Sequence, residues 1–213
     1  MVRGGDVRSI EADLLANREL YGEVVQRKLA HARESVWIAT ANVKAMFVDT
    51  GSGFRSVLDL FEDLRARGVE LRLLHAELPS RPFRAAFERK EALVRGGLCL
   101  KICPRVHFKA VVIDRAWAYV GSANLTGAGL GAKSDEKRNF ELGFCTEDFD
   151  VIDRVTALFE AIWSGAECGR CKLRDVCPDP LGPAVPSRRA RAVRLGRSRR
   201  LRVERRRRGS RIY

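Results

Sequence analysis

No stretch of this 213-residue chain approaches the roughly 18 apolar residues that a membrane-spanning helix needs, so a helical membrane protein is excluded. Met1 to Asn17 carries charges throughout and has no apolar h-region, so no secretory signal is expected and the reading is a soluble, cytoplasmic chain. No internal repeat is visible. Histidine is scarce, with only His31, His75 and His107. Lysine is scarce beside arginine, and from Ser187 to Tyr213 it is absent. What the chain does have is 46% apolar and 31% charged residues, enough to bury a core and too many apolar groups for wholesale disorder.

The formal charge of +13 is unevenly placed. Thirteen arginines and one glutamate between Ser187 and Tyr213 supply +12 of it, so the first 186 residues are nearly neutral. The basic character belongs to a tail. Either the tail contacts phosphates non-specifically, or it is a solvated segment reflecting arginine-biased composition; charge alone does not separate the two.

Apolar periodicity predicts a helix through Ile10, Leu14, Tyr21, Val24, Val25 and Leu29, then a strand at Ser35-Val-Trp-Ile-Ala-Thr-Ala. Val57, Leu58, Phe61 and Leu64 mark a second helix, stopped by Gly68. Strands follow at Val69–Leu73 and Leu98–Ile102, separated by a third helix from Phe83 to Leu93. Three more are expected at Val106–Asp114, Trp117–Val120 and Phe140–Cys145, before a last helix from Val151 to Trp163. Helices that alternate with strands, followed by clustered strands, predict an α/β fold with a mixed sheet flanked by helices. The expected organisation is a domain over 1–165, a cysteine cluster over 166–180, and a disordered tail over 181–213.

The chemistry concentrates in Val106-His107-Phe108-Lys109, Asp114, and Gly121-Ser122-Ala123-Asn124. On one strand His107 and Lys109 share a face, with Phe108, Ala110 and Val112 turned to the core. An imidazole beside an ammonium suits attack on a phosphorus that carries anionic oxygens. The Gly121-Ser122 turn adds a hydroxyl, backbone amides and the Asn124 amide as neutral donors.

This pattern resembles the HKD signature of the phospholipase D superfamily: His107-x-Lys109, four residues, Asp114, six residues, then Gly121-Ser122-x-Asn124. Six specified positions at this spacing arise by chance roughly once in 10⁵ to 10⁶ chains of this length, at about one in twenty per position. The likeness extends from about Glu11 to Gly165 and includes Asn139-Phe140-Glu141, as in the short single-motif nucleases of the superfamily. It implies a covalent phosphodiester mechanism that needs no metal cofactor for catalysis. His107 is then the nucleophile, Lys109 and Asn124 hold phosphate oxygens, Glu141 orients the imidazole, Ser122 supports it, and Asp114 is structural. Such a site uses two motif histidines, yet His31 and His75 are followed two residues later by Arg33 and Glu77, so neither opens a second motif. Both read as surface or helix-end residues. A homodimer supplies the missing histidine, because a two-fold interface brings a patch against its own copy. The implied substrate is nucleic acid, DNA or RNA; the alternatives are a phospholipid headgroup, or a nucleic-acid binding module without chemistry.

Cys168-x2-Cys171-x5-Cys177-Pro178 is the second signal. Clustered cysteines in a chain without a secretory signal favour a metal site over disulfides. The spacing is similar to the cysteine triplet that, with one distant cysteine, binds a [4Fe–4S] cluster in some nucleases that process DNA ends, and a structural zinc fits as well. The fourth ligand is left open between Cys145, Cys103 and a group from a second chain. Cys99 and Cys103 beside a strand read as buried small apolar residues.

The charge distribution generates one test. If the tail captures a polyanionic substrate, deleting Ser187–Tyr213 is expected to raise KM and flatten the salt dependence of binding, with kcat at saturation unchanged. An oligonucleotide assay at two salt concentrations decides it. An unchanged KM and salt slope would remove the tail from function.

Overall fold

The computed structural model describes residues 9–182; the arginine-rich stretch from Ser187 lies outside the described residues. Among the described residues, nine strands and four α-helices appear in the order β1 Asp13–Ala16, α1 Arg18–Leu20, β2 Ser35–Thr40, β3 Phe47–Asp49, β4 Phe54–Ser56, α2 Val57–Ala66, β5 Glu70–His75, α3 Arg81–Phe87, β6 Cys99–Ile102, β7 Lys109–Ile113, β8 Trp117–Gly121, β9 Leu142–Thr146 and α4 Phe149–Trp163. Seven strands make one sheet, ordered β1-β9-β8-β7-β2-β5-β6, and β3–β4 form a separate hairpin. β5 pairs in parallel with β2 and β6, while β1, β7, β8 and β9 pair antiparallel, so the sheet is mixed as expected.

Strand alternation splits the interior into two cores. Val36, Ile38, Leu71, Leu73, Val111 and Ile113 face one side, with the first helical stretch and α2 over them. Trp37, Ala39, Leu74 and Val112 face the other, under α4. There Trp37, Phe159 and Trp163 stack in series, at centroid separations of 5.3 and 5.5 Å. The Arg72 guanidinium lies over both tryptophans and pairs with Glu160 of α4 at 2.7 Å, which covers the edge of this core. With both faces of β2 and β7 buried, only strand ends remain open for chemistry.

Local signals set the helix ends. Ser56 and Asp59 form a capping box on α2, and Gly68, at φ 87°, takes the left-handed conformation that ends it. The third predicted helix stops early. Lys90 turns back to Asp59 and Glu62 of α2, so α3 ends at Phe87 and a π-helical turn, Leu93–Gly97, follows separately. The first predicted helix is also divided. Leu14 belongs to edge strand β1 on β9, Asn17 at φ 49° breaks the chain, and helix begins only at Arg18, continuing as a π-helical stretch over Tyr21–Lys28. The β3–β4 hairpin had no recognised periodicity, being only three residues per strand.

Asp114 opens the tight β7–β8 turn at φ 53°. Its carboxylate accepts from the backbone amides of Arg33, Glu34 and Ser35 at 2.7–3.1 Å, fastening this turn to the start of β2. Asp114→Ala strands those amides and should lower stability by about 1–3 kcal/mol. Urea unfolding measures it; an unchanged midpoint would show that water replaces the carboxylate without cost.

Candidate active site

Register places the signature residues at one end of the sheet. Lys109 begins β7 opposite Gly121, the last residue of β8, and Gly121 in turn faces Gly143 near the start of β9. Ala39 opposite Ala110 brings the end of β2 to the same place. His107 is exposed and lies in the connection before β7, not on the strand as predicted. The expected strand-face relation is therefore replaced by a local contact: Lys109 Nζ donates to the His107 carbonyl at 2.7 Å. Phe108 still turns to the α4 core, which fixes the backbone beneath the imidazole.

The Gly-Ser-x-Asn turn is held from two sides. Asn124 Oδ1 accepts from the amides of Ala41 and Asn42, at 3.1 and 3.2 Å, and lies 3.1 Å from Thr40 Oγ1. Thr40 Oγ1 also accepts from Leu125 N, at 3.1 Å. The oxygen of Asn124 is thus committed to the end of β2, leaving its NH₂ as the donor for an anion. On the other side Ser122 Oγ donates to Glu141 Oε2 at 2.5 Å, and Asn139 Nδ2 donates to Glu141 Oε1 at 3.1 Å. Asn17 Oδ1 accepts from Glu141 N, so the break after β1 also steadies this carboxylate.

Close packing sets the β8–β9 spacing here. The Tyr119 ring lies beneath Gly121 and Gly143: a Cβ on either would stand 2.3–2.4 Å from its atoms. Burial above all pushes the Tyr119 phenol up to about 12, so it stays a neutral buried hydroxyl that accepts from Ala123 N. The Asn124–Asn139 segment closes on itself, with Gly129 N on Thr126 Oγ1 and Asn139 N on the Ala128 carbonyl, and Ala132 N reaches the Phe47 carbonyl of β3.

Other candidates fall elsewhere. Asp114 stands at the opposite end of β7 from His107, a strand's length away. His31 is exposed at a helix end, as read, but His75 is a correction. It is buried at the end of β5, its Nδ1 2.8 Å from the Glu77 carbonyl, and burial lowers its pKa.

The cysteine expectations also need correcting. Cys99 is exposed instead of buried. Cys145 is buried in the first core on β9, away from the C-terminal cysteines. Among the described residues no three His, Cys, Asp or Glu side chains close on one metal ion. Cys168, Cys171 and Cys177 lie around the wall of a cavity of about 260 Å³, and Cys103 lines the same wall. Burial is the main reason the Cys103 thiol titrates above its ordinary range; the Arg105 amide opposes this, and Cys177, Cys168 and Cys171 each add to it.

Residues 25–163 match the family model described as the cardiolipin synthase, PLD-like domain. The chain belongs to this PLD-like family. No curated protein matches the PLD-like chain. Solved structures are similar to it at low identity. NucT from Helicobacter pylori is 14% identical with a TM-score of 0.49, covering 72% of this chain and 95% of that one. A phospholipase D family member, Nuc from Salmonella typhimurium, is 16% identical with a TM-score of 0.49 and the same coverages. The archaeal chromatin protein TrmBL2 is 14% identical with a TM-score of 0.50, covering 75% and 54%.

Sequence reasoning missed Thr40 and Asn17 in this PLD-like site, and gave Asn139, quoted with Glu141, no role of its own. A threonine ending an otherwise apolar strand was a signal for Thr40, since a buried hydroxyl needs a partner; Asn17 gave none. Thr40→Val keeps the shape but strips the partner from Leu125 N, and is expected to cost about 1–3 kcal/mol, with Thr40→Ser close to wild type. Denaturant midpoints test this. Equal midpoints for the Val and Ser variants would remove the hydroxyl from the lock.

Proposed function

We propose that this protein is a metal-independent phosphodiesterase that cleaves nucleic-acid phosphodiesters as a homodimer. The observation that carries the reading is the assembly of His107, Lys109, Ser122, Asn124 and the anchored Glu141 at one open end of a sheet whose faces are otherwise buried. His107 attacks phosphorus, forming a P–N bond, while the bond to the leaving oxygen breaks. The His107 of a second copy gives that oxygen its proton, then takes one from the water that cleaves the phosphohistidine. Lys109 and the Asn124 NH₂ stabilise the charge on the non-bridging oxygens. Glu141, steadied by Ser122 and Asn139, orients an imidazole. Nucleophile, acid and cationic clamp are all side chains, so the step calls for no divalent ion.

An apolar surface beside Glu141 supports the second copy. Phe140 is 96% exposed, and Leu14 and Leu142 lie on one exposed face of the β1–β9 pair. Among the described residues no helix is long and apolar enough to cross a membrane.

His107→Ala should lower kcat by at least about 10³-fold, while wild-type cleavage of an oligonucleotide persists in excess EDTA. In freely exchanging mixtures of the two, activity should follow roughly the square of the wild-type fraction, because each site needs both histidines. Loss of all activity on chelation, restored by magnesium, would sink the chemistry. A linear fall in the mixtures would show that each chain works alone.

A further inference from the structure

The segment after α4 has almost nothing to hold it. Residues 166–182 contain two single turns of 3₁₀ helix, Cys168–Arg170 and Arg174–Val176. Val176 is 76% exposed, and only Leu173 and Leu181 of this segment's larger apolar side chains line the cavity. Yet the cysteines are half-buried and line one cavity together with Cys103. Arg174 threads the segment, donating to the carbonyls of Cys168, Leu181 and Gly182. A piece of chain this short keeps a single conformation only with a staple.

Four thiols are the full ligand set of a tetrathiolate centre. Zinc would draw four sulfurs to about 2.3 Å from one point, leaving no cavity between them. Among the described residues no three ligands close on one ion, and the four cysteines are spread over the wall of one cavity of about 260 Å³. That space suits a body with one metal for each thiolate. Apart from Lys101, Arg105 and Arg174, set against Glu167 and Asp179, the wall is mostly apolar, which suits a compact anionic centre.

We propose that Cys103, Cys168, Cys171 and Cys177 ligate a [4Fe–4S] cluster, one thiolate per iron, seated between the β6–β7 connection, α4 and the C-terminal segment. The cluster is structural. It ties residues 168–177 to the loop that, four residues after Cys103, presents His107; Phe108 lines the same cavity. The proposal stands apart from the nuclease reading, since it needs no assumption about substrate.

The test uses the full chain purified without oxygen. About four iron and four acid-labile sulfide are expected per chain, with a broad visible absorption bleached by dithionite. Cys103→Ser and Cys177→Ser should each lower bound iron several-fold, while Cys99→Ser and Cys145→Ser leave it unchanged. Because the first two variants can also misfold, iron and sulfide in the wild type are decisive alone. A chain that takes up no iron even on reconstitution with iron and sulfide overturns the proposal, as does one zinc per chain, or a disulfide among the four cysteines. Full iron content in soluble Cys103→Ser overturns the assignment of the fourth ligand.

Discussion

The side-chain oxygen of Asn124 draws the amides of Ala41 and Asn42 onto itself, and with Thr40 it locks the end of β2 to the turn after β8. These two strands are not neighbours in the sheet; β7 lies between them. The lock therefore spans the strand that His107 precedes, and holds the ends of three strands level. A site assembled from strand ends has only such polar cross-ties to set its geometry, because apolar packing acts on the faces. Asp114 plays the corresponding part at the far end of β7, tying the β7–β8 turn to the start of β2.

Exposure of His107 follows from the same arrangement. Residues 103–108 form a loop pinned at its base by the Cys103 amide on the His75 carbonyl and by the Val106 amide on the Cys103 carbonyl. Val106 and Phe108 turn inward on either side of the imidazole. The histidine is thus presented outward by a backbone that cannot easily swing. Glu141 is fixed independently, by Ser122, Asn139 and Asn17. In an open site with rigid walls, the ordering costs are already met within one chain.

The loop that carries His107 also carries Cys103, so the sheet's chemistry and the cysteine segment share one short piece of backbone. A centre that gathers the C-terminal cysteines onto Cys103 would add a second support to that loop, from the side opposite the Asn124 lock. The division of labour is physical: buried strands set direction, and polar ties set strand ends.

Much of this was legible in the sequence. The strand-like run Ser35–Ala41, the alternation of Val69, Leu71 and Leu73, the Gly68 stop and the apolar stripe of α4 report local backbone preference and burial, both written into residue spacing. The signature from His107 to Asn124 was readable because a turn and two adjacent strands bring it together within eighteen residues. Partnerships over long separations were not readable. Thr40 with Asn124, Asn17 with Glu141, Asp114 with Arg33–Ser35 and Cys103 with the C-terminal cysteines join segments between 65 and 124 residues apart, and spacing carries no trace of such pairs. The division of Leu14 from the first helix is of the same kind, since only the unpaired edge of β9 makes a strand there worthwhile. Residue order determined the elements and the motif; tertiary structure alone decided which distant groups satisfy each other's hydrogen bonds, because that choice depends on which strand ends meet.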